Sequence, residues 1–582
     1  MTSPDLSPPL PPPLRTPRGG QGQWAAGHTE PLNPNERTKK DDDGLNVRAR
    51  IESIYAAGGF ASIDPADLRG RMRWWGLYTQ RREGIPGGLT ATLEPEELDA
   101  EHFMLRVRIP GGQLSAEQLR VVAAIGTTYC RDTADITDRQ NVQYHWVRIE
   151  DVPAIWAALE GVGLSTAEAC GDTPRNMLGC PLAGVDGEEV LDATAVLLAT
   201  NARFTGDPAF SNLPRKFKTS ISGCPSHCTL HELHDVAFVG VEHPELGAGF
   251  DLWVGGGLST NPMIAQRLGV FVTPDRVEEV WAGVASVFRD WGYRRARTRA
   301  RIKFLMADWG PVRFRAVLER DYLPAGPLPD GPAPAAPRAG HRDHIGVHRQ
   351  HDGAYAVGAA PKVGRVSGSL LTRVAELAET YGDGRVRLTV EQKLVLLGVP
   401  ERRVDALVGE LADLGLAVRP SAFRRGTMAC TGLEYCKLAI TETKARAQLL
   451  VEELEQRLPQ MSEPFSVNMN GCPNSCARTQ VADVGLKGMQ VTLADGRRVE
   501  GFQVHLGGHL GGVGGHEASL GRKVRGLRVA AEDLPDYVEG LVRRWLADRA
   551  EGESFASWSA AAAPELLTAG ATRLAGGGER DE

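Results

Sequence analysis

Cysteines arriving in pairs from two loops are the natural ligand set of a metal centre, and this chain carries such pairs. Its nine cysteines are Cys130, Cys170, Cys180, Cys224, Cys228, Cys430, Cys436, Cys472 and Cys476. "ACTGLEYCKLA" supplies Cys430 and Cys436 as C-x5-C; "NMNGCPNSCARTQVADVG" supplies Cys472 and Cys476 as C-x3-C, after 35 intervening residues. The Gly-Cys-Pro-x-x-Cys core also occurs 248 residues earlier, in "SISGCPSHCTLHELHDVAFVG", with Cys224 and Cys228. Thiolate ligation selects zinc or an iron-sulfur cluster. Zinc ribbons favour shorter spacings such as C-x2-C, where a tight knuckle brings both sulfurs to a small ion, whereas longer arcs suit a bulkier cube. The bland alternative is a set of buried core cysteines; two pairs flanked by glycine, proline and asparagine argue against it. The first-half pair has no C-x5-C companion, and Cys170 and Cys180, ten apart, fit poorly. The expectation is one cluster, in the second half, and a duplicated remnant in the first.

The elements that position these loops are themselves duplicated. "ITDRQNVQYHWVRIEDVPAIWAALEGVGLST" reads as a strand and an amphipathic helix, and "LTVEQKLVLLGVPERRVDALVGELADLGLAV" repeats that layout 252 residues later. "FDLWVGGGLST" and "FQVHLGGHLGG" correspond at the same offset. The fold class expected is α/β (α+β), two copies of one unit with sheets covered by helices. The divisions expected are a disordered proline-rich tail (1–40), a helical arm (41–96), a first half-domain (97–165) and a first cysteine-bearing domain (166–321). A Pro/Ala/Gly-rich linker (322–344), a second half-domain (345–420), a second cysteine-bearing domain (421–551) and a flexible tail (552–582) follow.

Composition bounds the function. With 66 basic against 73 acidic residues, bulk nucleic-acid binding is disfavoured. No segment has the apolar length of a signal peptide or a membrane span, and nine cysteines, an odd number, suit a reducing compartment, so a cytoplasmic location is expected. The glycine runs "VGGGLST" and "LGGHLGGVGGH" suggest close backbone approach to an anion, but neither forms a dinucleotide fingerprint. With no flavin or nicotinamide module evident, electrons for any redox centre must come from a separate carrier.

Taken in order, "FMLRVRIPGG", "TDRQNVQYH", "PRNMLGCP", "LPRKFK", "ACTGLEYCKLA" and "NGCPNSCA" resemble the siroheme-dependent nitrite and sulfite reductases, within them the ferredoxin-type sulfite reductases of actinobacteria. The resemblance covers nearly the whole chain. It implies a pseudo-twofold duplicated architecture with siroheme and a [4Fe-4S] cluster between the halves, Cys430, Cys436, Cys472 and Cys476 on the cluster, and Cys476 shared with siroheme iron. Asn474 falls within the same motif and is assigned to the cofactor. The activity implied is six-electron reduction of sulfite to sulfide by a monomer fed by reduced ferredoxin. Nitrite reduction to ammonia is the first alternative, and a non-catalytic iron-sulfur or zinc protein the second.

Siroheme carries eight carboxylates and the substrate is an oxyanion, so burying both demands inward-pointing cations, which are seldom buried unpaired. Alternation puts Arg106 and Arg108 on one strand face, Lys216 and Lys218 on another, and Arg175 reads as a loop residue. The resemblance assigns Arg106, Arg175, Lys216 and Lys218 to substrate, and Thr137, Arg139, Gln143 and His145 to siroheme carboxylates. Asp135 stands where some relatives carry another arginine, which leaves those contacts incompletely reproduced. Plant-type nitrite reductases tend to read Lys-Phe-Asn where this chain reads "KFK", and a second lysine suits the more highly charged sulfite. The resemblance also matches Tyr78 and Cys170 to a tyrosyl-cysteine thioether. "RDWGYRRARTRARIKF" is the most basic stretch, either a docking face for an acidic carrier or a helix supporting the pocket.

Overall fold

The computed structural model describes residues 21–334, 336–338, 343–511 and 517–572. Its four sheets are of two kinds, each built twice. One antiparallel sheet orders Leu77–Arg81, Asp99–Val107, Val142–Val147 and Ala134–Ile136, and ends on Arg365–Val366 from the second half. Its counterpart orders Gly346–Arg349, Tyr355–Ala359, Leu394–Val399 and Arg385–Leu388, and ends on Gln113–Ser115 from the first half. Each half thus lends the other an edge strand: Arg365 pairs with Asp135, and Arg387 with Gln113.

A capped helix follows each lent strand. Ser115 caps Ala116–Tyr129 in a reciprocal box with Gln118, and the Ser367 side chain accepts from Leu370 N to cap Gly368–Tyr381. These helices pack across the pseudo-twofold, where a Cβ on Gly368 would lie 2.4 Å from the Ala123 carbonyl oxygen. Leu119, Val122, Leu371 and Val374 join one apolar core beneath both sheets. That shared burial, more than any single contact, makes the halves one body.

The second pair of sheets is mixed. Pro174–Leu178, Phe217–Ser222 and Val236–His243 run parallel, followed by antiparallel Gly247–Val254 and Gln266–Val272. Thr427–Ala429, Val467–Asn470, Val484–Thr492, Arg498–Leu506 and Arg522–Ala530 repeat the order. The cysteine loops leave the carboxyl ends of the first two parallel strands in both copies, where open α/β sheets form their crevices.

Several expectations need correction. Residues 21–40 are not a loose tail: Pro34–Asp41 is helical, capped by Asn33, and buries Lys39 between Glu36 (2.6 Å) and Asp172 (3.4 Å). Residues 1–20 lie outside the described residues. The helical arm buries Val47, Ile51 and Tyr55 in the shared core. At the carboxyl end, Phe555–Ala561 and Pro564–Thr568 are helices that bury Phe555, Trp558 and Leu567, so the chain stays packed to residue 572; 573–582 are outside the described residues. The described part of the 322–344 connection is irregular but attached, with Arg338 N bonded to the Pro225 oxygen and Leu323 and Leu328 buried. Arg175 lies in the strand Pro174–Leu178 instead of a loop, because that segment is buried on both faces and pairs with Phe217–Ser222.

Candidate active site

A cleft lies between the halves. From the first half it is walled by Asp138, Arg139, Lys216, Lys218, His234 and Arg301, and from the second by Val390, Asn474, Ser475 and Arg478. Five cations face one carboxylate on its walls. Phe217, fully buried in the core, turns Lys216 and Lys218 together to the opposite face. Burial pushes the Lys218 ammonium down to about 8, with Arg139 adding to the shift. Lys216 is driven well below its usual range by burial, then by Lys218 and Arg301.

The cations are held at their bases. Asp235 accepts both Arg301 Nε (2.8 Å) and Nη2 (2.7 Å) and also the Lys218 backbone amide (2.8 Å). Arg478, in a left-handed turn at φ 53°, reaches Glu391 at 2.6 Å and the Val390 oxygen at 2.9 Å. Arg139 donates to the Asn176 oxygen and lies 3.3 Å from His234 Nε2. His234 Nδ1 is 3.0 Å from the Leu230 oxygen, so it carries the ring proton and Nε2 accepts from Arg139; burial and Arg139 keep the imidazole neutral. The Thr137 hydroxyl accepts from the amides of Arg139 and Asn141, building the turn that presents Asp138 and Arg139.

Arg106 and Arg175 lie behind this wall. Arg106 Nη2 donates to Gln143 Oε1 at 2.7 Å, and its guanidinium is 5.9 Å from the Tyr78 ring centre. Burial, then Arg175, pushes it down to about 10, while Asp138 and the Cys476 thiol oppose that shift. Arg175 donates through Nε and Nη2 to the Gly171 oxygen. Arg108, expected beside Arg106, is instead spent on Asn201 and on the carbonyls of Pro174 and Arg175.

The strand Val142–Val147 divides its labour by face. Tyr144 points into the shared core and donates to the Val122 oxygen; Gln143 and His145 point to the cluster loop. His145 is not among the residues lining the cleft. It is fully buried, 2.9 Å from Asp135 and stacked at 3.8 Å on Tyr435, inside the Cys430–Cys436 loop. Asp135 also pairs with Arg365 (2.8 Å) and Lys444 (3.4 Å), which hold its carboxyl far below the usual range despite burial. A buried counter-ion replaces the arginine that the resemblance leads one to expect.

Cys430, Cys436, Cys472 and Cys476 converge from the two second-half loops; after burial, the nearness of Cys476 pushes the thiols of Cys430, Cys436 and Cys472 up. Burial, then Cys476, pushes Cys430 up to about 12. Backbone amides aim at these sulfurs: Gly471 N lies 3.3 Å from Cys430 Sγ, and Leu438, Ala439 and Asn474 amides face Cys436 and Cys472. Among the described residues, the compact ligand group with all atoms within 4.8 Å is a different one, so these four sulfurs are spread too wide for a single ion. Thiolates set wider than one ion spans and stabilised by N–H donors suit a multi-iron cube. Cys476 is exposed, and it is the thiol in electrostatic reach of Arg106.

Two family models match the chain. Residues 96–162 and 348–414 match the nitrite/sulfite reductase ferredoxin-like half domain, and 170–324 and 421–558 the nitrite and sulphite reductase 4Fe-4S domain. The chain belongs to the nitrite and sulfite reductase family. The "Sulfite reductase [ferredoxin]" of Mycobacterium tuberculosis H37Rv is 55% identical over 92% of this chain and 96% of that protein. The "Ferredoxin--nitrite reductase" of Synechococcus elongatus is 37% identical over 89% and 97%. The solved structure of M. tuberculosis NirA protein superposes with a TM-score of 0.91, covering 94% of this chain and 100% of that one.

The cofactors that family membership implies, siroheme and a [4Fe-4S] cluster, fit the residues present. Buried Nε atoms of Arg106, Arg139 and Arg478 have no partner among the described residues, as a polycarboxylate site requires, and the cleft's cations exceed its carboxylates. Arg301, Arg478, Asp138 and His234 are cleft residues the sequence did not single out. Arg478 stood two residues after Cys476 in a quoted motif, and Arg301 inside the basic stretch. That stretch is not a single helix: Arg294, Arg297 and Arg301 turn inward to Glu36, Asp172 and Asp235, while Arg295 and Arg299 are exposed. In the second glycine run, residues 512–516 lie outside the described residues.

Proposed function

We propose that this chain reduces sulfite to sulfide with electrons from reduced ferredoxin, as a cytoplasmic monomer. The observation that carries the reading is the cation-walled cleft meeting the exposed Cys476 beside Arg106. Bound siroheme and [4Fe-4S] cluster would supply the iron and relay the electrons that ferredoxin donates, with Cys430, Cys436, Cys472 and Cys476 holding the cluster and Arg139, Asn474 and Arg478 facing the siroheme. Lys216 and Lys218 bind the anion by charge-assisted hydrogen bonds, and Arg106 and Arg175 add positive potential from behind. Lys218, poised near 8, is suited to give a proton to a departing oxygen and recover it from solvent. Thr137 and Gln143 orient Arg139 and Arg106.

Nitrite is the second substrate to consider, since relatives at 37% and 34% identity carry nitrite reductase names. Lys218, the second lysine of "KFK", favours the dianion. Steady-state rates on sulfite and nitrite with reduced ferredoxin decide between them: kcat/KM higher for sulfite is expected, and a large advantage for nitrite overturns the assignment. The Tyr78–Cys170 thioether is part of the proposal. Tyr78 lies beneath the Arg106 guanidinium, and Cys170 precedes Gly171, whose carbonyl holds Arg175. Peptide mapping of holoenzyme that returned unmodified Tyr78 and free Cys170 would remove it.

A further inference from the structure

Outside the cleft, the first half gathers three cysteines and a histidine. Ligand atoms of Cys180, Cys224, Cys228 and His344 all lie within 4.8 Å of one another, and all four residues are buried. Cys180 Sγ stands 3.8 Å from His344 Nε2; the edge of a tetrahedron with zinc–sulfur and zinc–nitrogen bonds of ordinary length is about 3.6 Å. We propose that Cys180, Cys224, Cys228 and His344 bind a structural zinc ion.

The topology explains the set. Cys180 follows the strand Pro174–Leu178 and Cys224 the strand Phe217–Ser222, as Cys430 follows Thr427–Ala429 and Cys472 follows Val467–Asn470. Duplication therefore placed a thiol centre in both halves, and in the first it contracted: one cysteine replaces the C-x5-C pair, and His344 closes the fourth position. Sulfurs this close leave no room for an iron-sulfur cube. Three thiolates and an imidazole are a closed zinc ligand set, with no open position for substrate. Leu182, Val185, Ala356, Val395 and Leu397 pack around it, and the Leu182 amide donates to Cys180 Sγ at 3.4 Å. The thiols of Cys180, Cys224 and Cys228 are in mutual hydrogen-bonding reach, Cys224 contacting both of the others. Zinc uptake releases the remaining thiol protons to solvent.

The site has a mechanical role. His344 ends the connection between the halves, at φ 57°, and Asp343 beside it is clamped at 2.7 Å by Arg425 of the second half. Zinc thus pins the incoming chain to the first half two residues before the strand Gly346–Arg349.

Metal analysis of holoenzyme purified without chelator tests this. About one zinc per chain is expected, with a zinc-edge spectrum of three sulfurs and one nitrogen. His344→Ala and Cys180→Ser should lose at least most of that zinc and several degrees of Tm while iron, acid-labile sulfide and visible absorption stay at wild-type levels. His344→Cys should keep zinc with four sulfurs, and carries the test if the other variants fail to accumulate. Wild-type enzyme without zinc after growth in zinc-supplemented medium, iron at this position, or zinc retained in His344→Ala with an unchanged edge spectrum would each overturn the proposal.

Discussion

Gln143 holds Arg106 and the cluster loop at once: its Oε1 accepts from Arg106 Nη2 at 2.7 Å while its Nε2 donates to the Thr431 hydroxyl at 3.0 Å. Thr431 is the residue after Cys430, so one amide fixes the spacing between a substrate-side cation and a cluster ligand. Gln143→Leu leaves the guanidinium without its acceptor. A hydrogen bond to a charged group contributes roughly 1.5–3 kcal/mol, so kcat/KM for sulfite should fall about 10- to 100-fold, with cluster and siroheme absorption retained. Unchanged kcat/KM would show that Arg106 needs no such orientation.

Lys218 ties function to pH. Its folded-state value, about 8, lies below the unfolded value of about 10.4. Between these values the unfolded chain binds more protons, so the stability of cofactor-depleted protein rises with pH; below about 8 the penalty of the buried charge is fully present. Lys218→Met should therefore stabilise the cofactor-depleted protein at pH 7, on the order of 1–3 kcal/mol, and flatten the rise in Tm between pH 7.5 and 9.5. The same variant should lose sulfite reduction at every pH. A Tm lower than wild type at pH 7 would contradict the burial argument.

How far the sequence revealed this site depends on the range of the interaction. The duplicated layout was legible because strand and helix periodicities are local, and because the repeated cysteine motif fixes the register between copies. Lys216 and Lys218 were legible for the same reason: alternation around buried Phe217 decides their face. Three features were not. The lent strands Gln113–Ser115 and Arg365–Val366 are short, and their partners lie in the other half. The pairing of His145 with Asp135 was hidden, since Asp135 depends on two cations from the second half. Cys180 and His344 are 164 residues apart, and no spacing rule joins them to Cys224 and Cys228.

Asp135 is the charged joint between the halves. Its carboxylate meets His145, Arg365 and Lys444, the last two from the second half, and only 3% of the residue is exposed. Removing one partner from a buried ionic group leaves the others uncompensated, so Asp135→Asn should destabilise by on the order of 3–5 kcal/mol in denaturant unfolding. Because the folded carboxyl titrates far below the unfolded value of about 3.9, its contribution is present above that value and fades as pH falls below it. The stability gap between wild type and Asp135→Asn should accordingly narrow below pH 4. A gap independent of pH in that range would assign the loss to packing instead of charge.

The two Gly-Cys-Pro-x-x-Cys motifs should separate cleanly by substitution. Cys476 is exposed, in electrostatic reach of Arg106, and belongs to the wide set of four sulfurs; Cys228 is buried in the compact set with Cys180, Cys224 and His344. Cys476→Ser should strip iron and acid-labile sulfide and abolish sulfite reduction, because serine's alkoxide is a poor substitute for a soft thiolate ligand. Cys228→Ser should keep iron, sulfide and visible absorption and retain most activity at 25 °C, while losing activity sooner on heating. Iron and sulfide assays on both variants, alongside thermal inactivation curves, check the pair. If Cys228→Ser also lost the cluster, the first-half site would be feeding into cluster assembly, and the division of the duplicated motif into a redox copy and a structural copy would be wrong.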